Sequence, residues 1–135
     1  MTYKIEEIEG IGAATAEKLA RANIRTTTDL LNQCCAKKGR KSVSEITGCS
    51  ESQLLKWTNM ADLMRISGVG EEYSELLEAA GVDTVKELRH RNAENLAAAM
   101  QATNQEKKLT RMVPSSATVQ KWIEQAKTLD PLITH

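Results

Sequence analysis

The chain repeats itself, and this internal repeat restricts it to a fold built from two similar units. Aligned at an offset of 58 residues, Ile8–Leu30 and Ile66–Leu88 share eight identical residues at 23 positions. The identities include two glycines separated by one apolar residue, and the leucine that ends each segment. Identity at this level within one chain indicates the duplication of a structural unit.

A second match extends the repeat toward the end of each copy. Ser50–Ala61 aligns with Ser115–Ala126 at an offset of 65 residues and pairs Trp57 with Trp122. The larger offset means that the second copy carries an insertion of about seven residues, which we place within residues 92–107. The sequence therefore predicts two units of about 65 residues each, at 1–65 and 66–135.

The units are predicted to be helical. Apolar residues recur at a spacing of three to four after Gly12 and after Gly70, which is the period of one helix face. Aromatic residues make up only 3% of the chain and no Phe is present, which favours close helix packing over a bulky β core. No strand is predicted. Four short segments carry helix N-cap signals, at residues 26–29, 50–53, 83–84 and 114–116.

Several classes of protein are excluded. There is no run of about 18 apolar residues, so no membrane span is expected, and the first residues lack the apolar segment of a secretory signal. The three cysteines, Cys34, Cys35 and Cys49, form neither a disulfide framework nor a zinc-binding spacing. These observations predict a cytoplasmic protein without a bound metal ion.

Enzymatic chemistry is not expected either. His90 and His135 are the only imidazoles, and no nucleophile–base pair is recognisable. The carboxylates from Glu71 to Glu78 lie at helical spacing and are more simply a solvated helix face than a metal site. We therefore predict a non-catalytic protein with no cofactor and no small-molecule substrate.

The glycine pairs mark two short hairpins, each placed directly before a helix. In Gly10-Ile11-Gly12 and Gly68-Val69-Gly70, the glycines allow a tight turn and the apolar residue between them anchors the turn in the core. The helix that follows begins with free backbone N–H groups, which can hold a phosphate oxygen. Thr15 and Lys18 are candidates to assist at the first hairpin.

Here the sequence resembles the helix-hairpin-helix family. The matching pattern runs from Ile8 through the glycine pair to Ile24. Nearly the whole chain also resembles an uncharacterised family, described as a domain of unknown function, that carries tandem hairpins of this type. The resemblance implies an all-α fold of two tandem pseudo-repeated helix-hairpin-helix (SAM-like) units, packed as one compact helical domain. It also implies contact with the DNA backbone without sequence reading, and it does not imply catalysis.

The two hairpins differ in charge. Ala13-Ala14 follows the first glycine pair, whereas Glu71-Glu72 follows the second, where carboxylates compete with phosphate for the same amides. A turn that only joins packed helices is the alternative interpretation for both hairpins. For Gly68 and Gly70 it is the favoured one.

Two basic runs occupy similar places in the copies and are predicted to lie between helices. The candidate phosphate contacts are Lys37, Lys38, Arg40 and Lys41 in the first run, and Lys107, Lys108 and Arg111 in the second. The alternative is a solvated loop that maintains solubility. Trp57 and Trp122 lie on apolar helix faces and are predicted to be core residues.

Two hypotheses for the function remain. The first is sequence-independent binding to the backbone of duplex DNA, through the hairpins and the basic runs. The second is a protein–protein interaction or scaffold module, including self-association, in which the hairpins are structural only. The 18 basic and 18 acidic residues give a net charge of zero, so any attraction for nucleic acid must be local.

Overall fold

The computed structural model describes residues 2–135, and within these residues it contains helices and no strand. The all-α prediction is confirmed. A short 3-10 helix at Ile5–Glu7 precedes the α-helices. These are α1 (Ala13–Ala20), α2 (Thr27–Cys34), α3 (Lys37–Thr47), α4 (Glu51–Leu63), α5 (Glu71–Ala79), α6 (Val85–Leu88), α7 (Ala93–Lys107) and α8 (Ser116–Thr128). An isolated antiparallel bridge joins Lys4 to Thr26.

Side-chain caps define where five of the helices begin. In each case a side-chain oxygen of the N-cap residue accepts a hydrogen bond from the backbone N–H three residues later, which satisfies a donor that has no partner inside the helix. The five caps are Thr26, Ser50, Thr84, Asn92 and Ser115. Thr26, Ser50, Thr84 and Ser115 lie within the four segments in which the sequence predicts a cap, and Asn92 is a fifth cap that the sequence analysis did not include.

The hydrophobic core consists of two clusters that meet near the end of α4. Residues between Ile5 and Met64 form one cluster around Trp57, and residues between Leu63 and Ala126 form the other around Trp122. Trp57 is 6% exposed and Trp122 is 3% exposed, so both tryptophans are core residues, as predicted. Helix α4 supplies side chains to both clusters and joins them.

The two glycine hairpins have the same geometry where each approaches its tryptophan. Gly10 has φ +92° and Gly68 has φ +93°, a region that L side chains rarely adopt. A Cβ atom on Gly10 would lie 3.3 Å from Nε1 of Trp57, and one on Gly68 would lie 3.3 Å from Nε1 of Trp122. Each hairpin therefore rests against the indole of its own unit.

The last residues described return from the second cluster to the first. Leu129 packs on the second cluster and Ile133 on the first. Backbone carbonyls of this segment accept hydrogen bonds from three arginines: Arg89 to Leu129 (2.6 Å), Arg65 to Asp130 (2.8 Å) and Arg40 to Thr134 (2.8 Å). The segment thereby ties the two halves of the molecule together.

The first basic run does not lie between helices, so the prediction was wrong for residues 37–41. Lys37 is the first residue of α3, and the rest of the first run lies in the first two turns of that helix. Lys107 is the last residue of α7, and Lys108 is its C-cap with φ +51°. From Lys108 to Arg111 the second run lies in the segment between α7 and α8, as predicted for that part. Helix α7 has 15 residues and α3 has 11.

Within residues 2–135, no helix is long and apolar enough to cross a membrane.

Candidate nucleic-acid interface

The first hairpin places backbone donors at the surface. Ile11 is buried and its N–H bonds to the carbonyl of Ile8, so the side chain anchors the turn as expected. Gly12, Ala13 and Ala14 are exposed. The N–H groups from Gly12 to Thr15 have no acceptor among residues 2–135, because α1 has no side-chain cap and no acidic residue in its first turn. These amides are available to an anion.

The second hairpin begins a helix with an acidic start. Gly70 precedes the exposed Glu71 and Glu72. The pKa of Glu71 is raised, first by burial and then by a hydrogen bond with the carboxyl group of Glu9, while the charge of Glu72 adds to the effect. Carboxylates therefore crowd the start of α5 directly after Gly70, and this geometry favours a turn that is structural only.

The first basic run gathers its charge at the start of α3. Lys37, Lys38 and Lys41 are exposed. Ala36, the N-cap residue, offers no side-chain acceptor, and the first turn carries no acidic residue. Cations at a helix N-terminus oppose the helix dipole, so these lysines raise the free energy of the helix when no anion is present.

Arg40 does not belong to this surface, and the structure corrects its assignment as a phosphate contact. The side chain is 3% exposed. Its Nη1 donates to the carbonyl of Cys34 at 2.9 Å and its Nη2 donates to that of Thr134 at 2.8 Å. Arg40 shares a buried helix face with Val43 and Thr47, a spacing that is visible in the sequence once this run is taken as a helix.

Gln33 connects the basic parts of α1 and α3. Its side-chain Nε2 donates to the carbonyl of Ala22, just beyond α1, at 2.9 Å. The backbone carbonyl oxygen of Gln33 would lie 1.9 Å from a Cβ atom built on Gly39, which is in the first turn of α3. The exposed cations on these two joined elements are Lys18, Arg21, Lys37, Lys38 and Lys41. The sequence prediction did not include Arg21, and no motif marks it.

The second basic run does not join this surface. Lys107 lines a groove together with Glu75 and Glu78 of α5. Lys108 and Arg111 are exposed on the segment between α7 and α8, which Asn104 holds through two hydrogen bonds to the backbone of Thr110. The cations predicted at similar places in the two copies thus have different surroundings.

Chemically reactive groups are scarce. Within residues 2–135, no group of three or more His, Cys, Asp or Glu side chains is placed to hold a metal ion. Burial raises the pKa of the Cys34 thiol to about 11, so this cysteine stays protonated at neutral pH. Cys35 and Cys49 are also free thiols, and Cys49 is buried.

Comparison with known proteins gives one finding. A family model described as "Domain of unknown function (DUF4332)" matches residues 9–129, a span that includes both hairpins and all eight α-helices. No curated protein and no solved structure matches the chain.

Proposed function

The chain belongs to the DUF4332 family, and we propose that it is a non-catalytic, cytoplasmic module that binds the backbone of duplex DNA without reading its sequence. The contact surface is the "α1–α3 basic surface", which we define as Lys18, Arg21, Lys37, Lys38, Lys41 and the open amides at the start of α1. In this proposal, the first hairpin acts as a helix-hairpin-helix element.

The start of α3 is the observation that carries the proposal. Three exposed lysines stand at an uncapped helix N-terminus that has no acidic residue in its first turn. A phosphate placed there interacts favourably with the lysines, with the helix dipole and with the free amides at the same time. Without an anion, the three lysines at this helix N-terminus raise the free energy of the helix. A bound anion stabilises the same arrangement.

The start of α1 supports a second phosphate contact. Gly12–Thr15 present N–H groups with no acceptor among the described residues, and Gly12 leaves open space for close approach of a backbone. Glu9 and Glu71 lie on the side of the hairpin that faces the second unit and repel phosphate there. We therefore place the DNA backbone on the side of α1 that continues toward α3.

Weak, salt-sensitive binding is expected from such a surface. Contacts of lysine and backbone amides with phosphate position a protein on DNA but carry no sequence information. Each phosphate contact adds about 0.9 to the slope of log K against log salt concentration. With a net charge of zero, the protein has no long-range attraction to compensate at higher salt.

The decisive experiment is fluorescence anisotropy with a labelled duplex at two salt concentrations. The variant carries Lys37→Glu, Lys38→Glu and Lys41→Glu, and the control carries the same charge change at the exposed Lys86, Lys121 and Lys127. We expect the α3 variant to lose binding and the control to retain most of it. Equal binding by the two variants, or no duplex binding by the wild-type protein at low salt, would falsify the proposal.

A protein-interaction module is the second candidate. It is favoured by the crowding of Glu9 with Glu71 and Glu72, which makes the boundary between the units unsuitable for a polyanion. Under this alternative both hairpins are structural. Light scattering across a concentration series tests self-association, and the α3 variant should leave the molar mass unchanged if the contact lies at this acidic boundary.

A further inference from the structure

The start of α3 is an unfavourable helix N-terminus. The exposed lysines of the first basic run oppose the helix dipole. The N-cap residue Ala36 offers no side-chain acceptor to the first N–H groups. Gly39 lies in the first turn, and glycine is less favourable than alanine in a helix. Contacts from other parts of the chain are therefore needed to hold this turn.

Arg40 connects the start of α3 to a segment that comes from the second unit. We call residues 129–134, which follow α8, the return segment. Nη2 of Arg40 donates to the carbonyl of Thr134 at 2.8 Å, and Nη1 donates to that of Cys34, at the end of α2, at 2.9 Å. Arg40 takes part in none of the ion pairs among residues 2–135. Backbone carbonyls therefore stabilise its buried charge, and one of the two belongs to the return segment.

The end of the return segment is held on the first unit by a small number of contacts. Thr134 donates its N–H to the carbonyl of Cys35 at 2.8 Å, and the partly buried side chain of Ile133 packs on the first hydrophobic cluster. Residues 130–132, just before them, are exposed. Segments with few buried contacts open at a lower free energy than the core. We therefore expect this end to undock before the core of either unit unfolds.

We propose that Ile133 and Thr134 are positioning residues for the α1–α3 basic surface. Docked against Arg40 and the end of α2, they hold the start of α3 in the helical form that presents its lysines to phosphate. Their release disorders that form. The inference rests on the proposed function, because it concerns the same surface. The return segment thereby makes a surface of the first unit dependent on a segment that follows the second unit.

Such a dependence works in both directions. If docking of the return segment strengthens duplex binding by some factor, duplex binding strengthens the docking by the same factor. A contact that contributes only to general stability has no such coupling to the basic surface. The coupling therefore distinguishes a positioning role from a purely structural one.

Two pairs of matched variants test the first direction. Ile133→Asp removes the apolar contact with the first cluster, whereas Leu132→Asp places the same charge on the neighbouring residue, which is 41% exposed. Thr134→Pro removes the N–H that bonds to Cys35, whereas Thr134→Ala keeps it. In fluorescence anisotropy with a labelled duplex at low salt, we expect Ile133→Asp and Thr134→Pro to bind about fivefold or more weakly than their controls.

Amide hydrogen exchange of the full chain, followed by NMR, tests the other direction. In the wild-type protein, saturating duplex should slow exchange of the Thr134 N–H about fivefold or more. The control is the N–H of Thr110, which donates to the side chain of Asn104 at 2.9 Å in the second unit and should not change. Without DNA, Thr134→Pro should speed exchange of the Arg40 N–H, which donates to the carbonyl of Ala36 at 3.1 Å, and not that of Thr110.

The outcomes separate this inference from the proposed function. Absence of duplex binding by the wild-type protein overturns both. If the wild-type protein binds, equal affinities within each variant pair, or unchanged exchange at Thr134 on addition of duplex, overturn the positioning role alone. Should a variant lose the protection of Thr110 as well, it is unfolded, and the exchange measurement on the wild-type protein decides.

Discussion

The guanidinium group of Arg40 donates a 2.8 Å hydrogen bond to the carbonyl oxygen of Thr134, which lies 94 residues further along the chain. Thr134 in turn donates its N–H to the carbonyl of Cys35 at 2.8 Å. The same guanidinium holds the Cys34 carbonyl, so one buried cation satisfies acceptors from two distant parts of the chain. This arrangement, together with the packing of Ile133 on the first cluster, makes residues 133–134 a structural part of the first unit.

Arg40→Ala should therefore destabilise the protein. The substitution leaves the Cys34 carbonyl without its donor at a buried site and the Thr134 carbonyl without its donor at a partly buried one, and hydrogen bonds to charged groups contribute about 1.5–3 kcal/mol each. We expect a loss of about 2–3 kcal/mol in the free energy of unfolding, measured by urea denaturation. Lys41→Ala, which changes an exposed neighbour, should change it by less than about 0.5 kcal/mol. Similar losses in the two variants would show that Arg40 does not anchor the segment.

Local signals explain how much of the fold the sequence predicts. A cap such as Thr26 or Ser50 acts on the backbone three residues away, and the second glycine of each hairpin is followed directly by its helix. Such short-range features are readable without a structure. The partner of Arg40 is 94 residues distant and is a backbone carbonyl, which leaves no residue-specific pattern in the sequence. Its role was therefore missed.

The candidate site was also predicted only in part, because the packing of α3 against α2 leaves no local pattern in the sequence. The lysines of the first basic run are exposed, but glycine inside Lys37–Lys41 suggests a loop, whereas the structure has the start of α3. Gly39 is needed for packing and not for a turn, since the carbonyl of Gln33 occupies the space that a side chain would take. A helix–helix contact of this kind appears only when both helices are placed.

Gly39→Ala tests that contact. Alanine is normally about 1 kcal/mol better than glycine inside a helix. Here its Cβ would lie 1.9 Å from the backbone oxygen of Gln33, which cannot move without shifting α2 against α3. We expect the clash to dominate and thermal or urea unfolding to show a loss of about 1–3 kcal/mol. Gly12→Ala, where nothing lies within 4 Å, should be neutral or stabilising by up to about 1 kcal/mol. A stabilised Gly39→Ala protein would exclude the close contact.

Gly10→Ala and Gly68→Ala should destabilise the protein by similar amounts. Both positions have positive φ, which costs an L residue about 1–2 kcal/mol, and both would press Cβ against a tryptophan Nε1 at 3.3 Å. Gly81→Ala is the matched control, because its φ is +99° and nothing lies within 4 Å. Unfolding measurements should therefore give Gly81→Ala a smaller loss than either hairpin variant. Strongly unequal losses at Gly10 and Gly68 would contradict the shared geometry of the hairpins.

Asp62 provides a pH-dependent test of the junction between the units. The carboxyl group is 1% exposed, accepts the N–H of Val85 at 2.9 Å and pairs with Arg65 at 2.6 Å. Burial raises its pKa above the ordinary value of 3.8 and outweighs the lowering by the Val85 hydrogen bond and by Arg65. The folded state therefore holds this proton more tightly than the unfolded state does.

The contribution of Asp62 to stability should accordingly fall as the pH rises. It is fully present below 3.8, is lost as the pH rises from 3.8 through the raised pKa of the folded state, and is constant above that pKa. Asp62→Asn is the reference, because its side-chain oxygen can still accept the Val85 N–H but does not titrate. We expect the free energy of unfolding of the wild type minus that of the variant, measured in urea between about pH 3.5 and 7, to decrease with pH. A difference that stays flat or increases would mean that Arg65 and Val85, and not burial, determine the pKa of this carboxyl group.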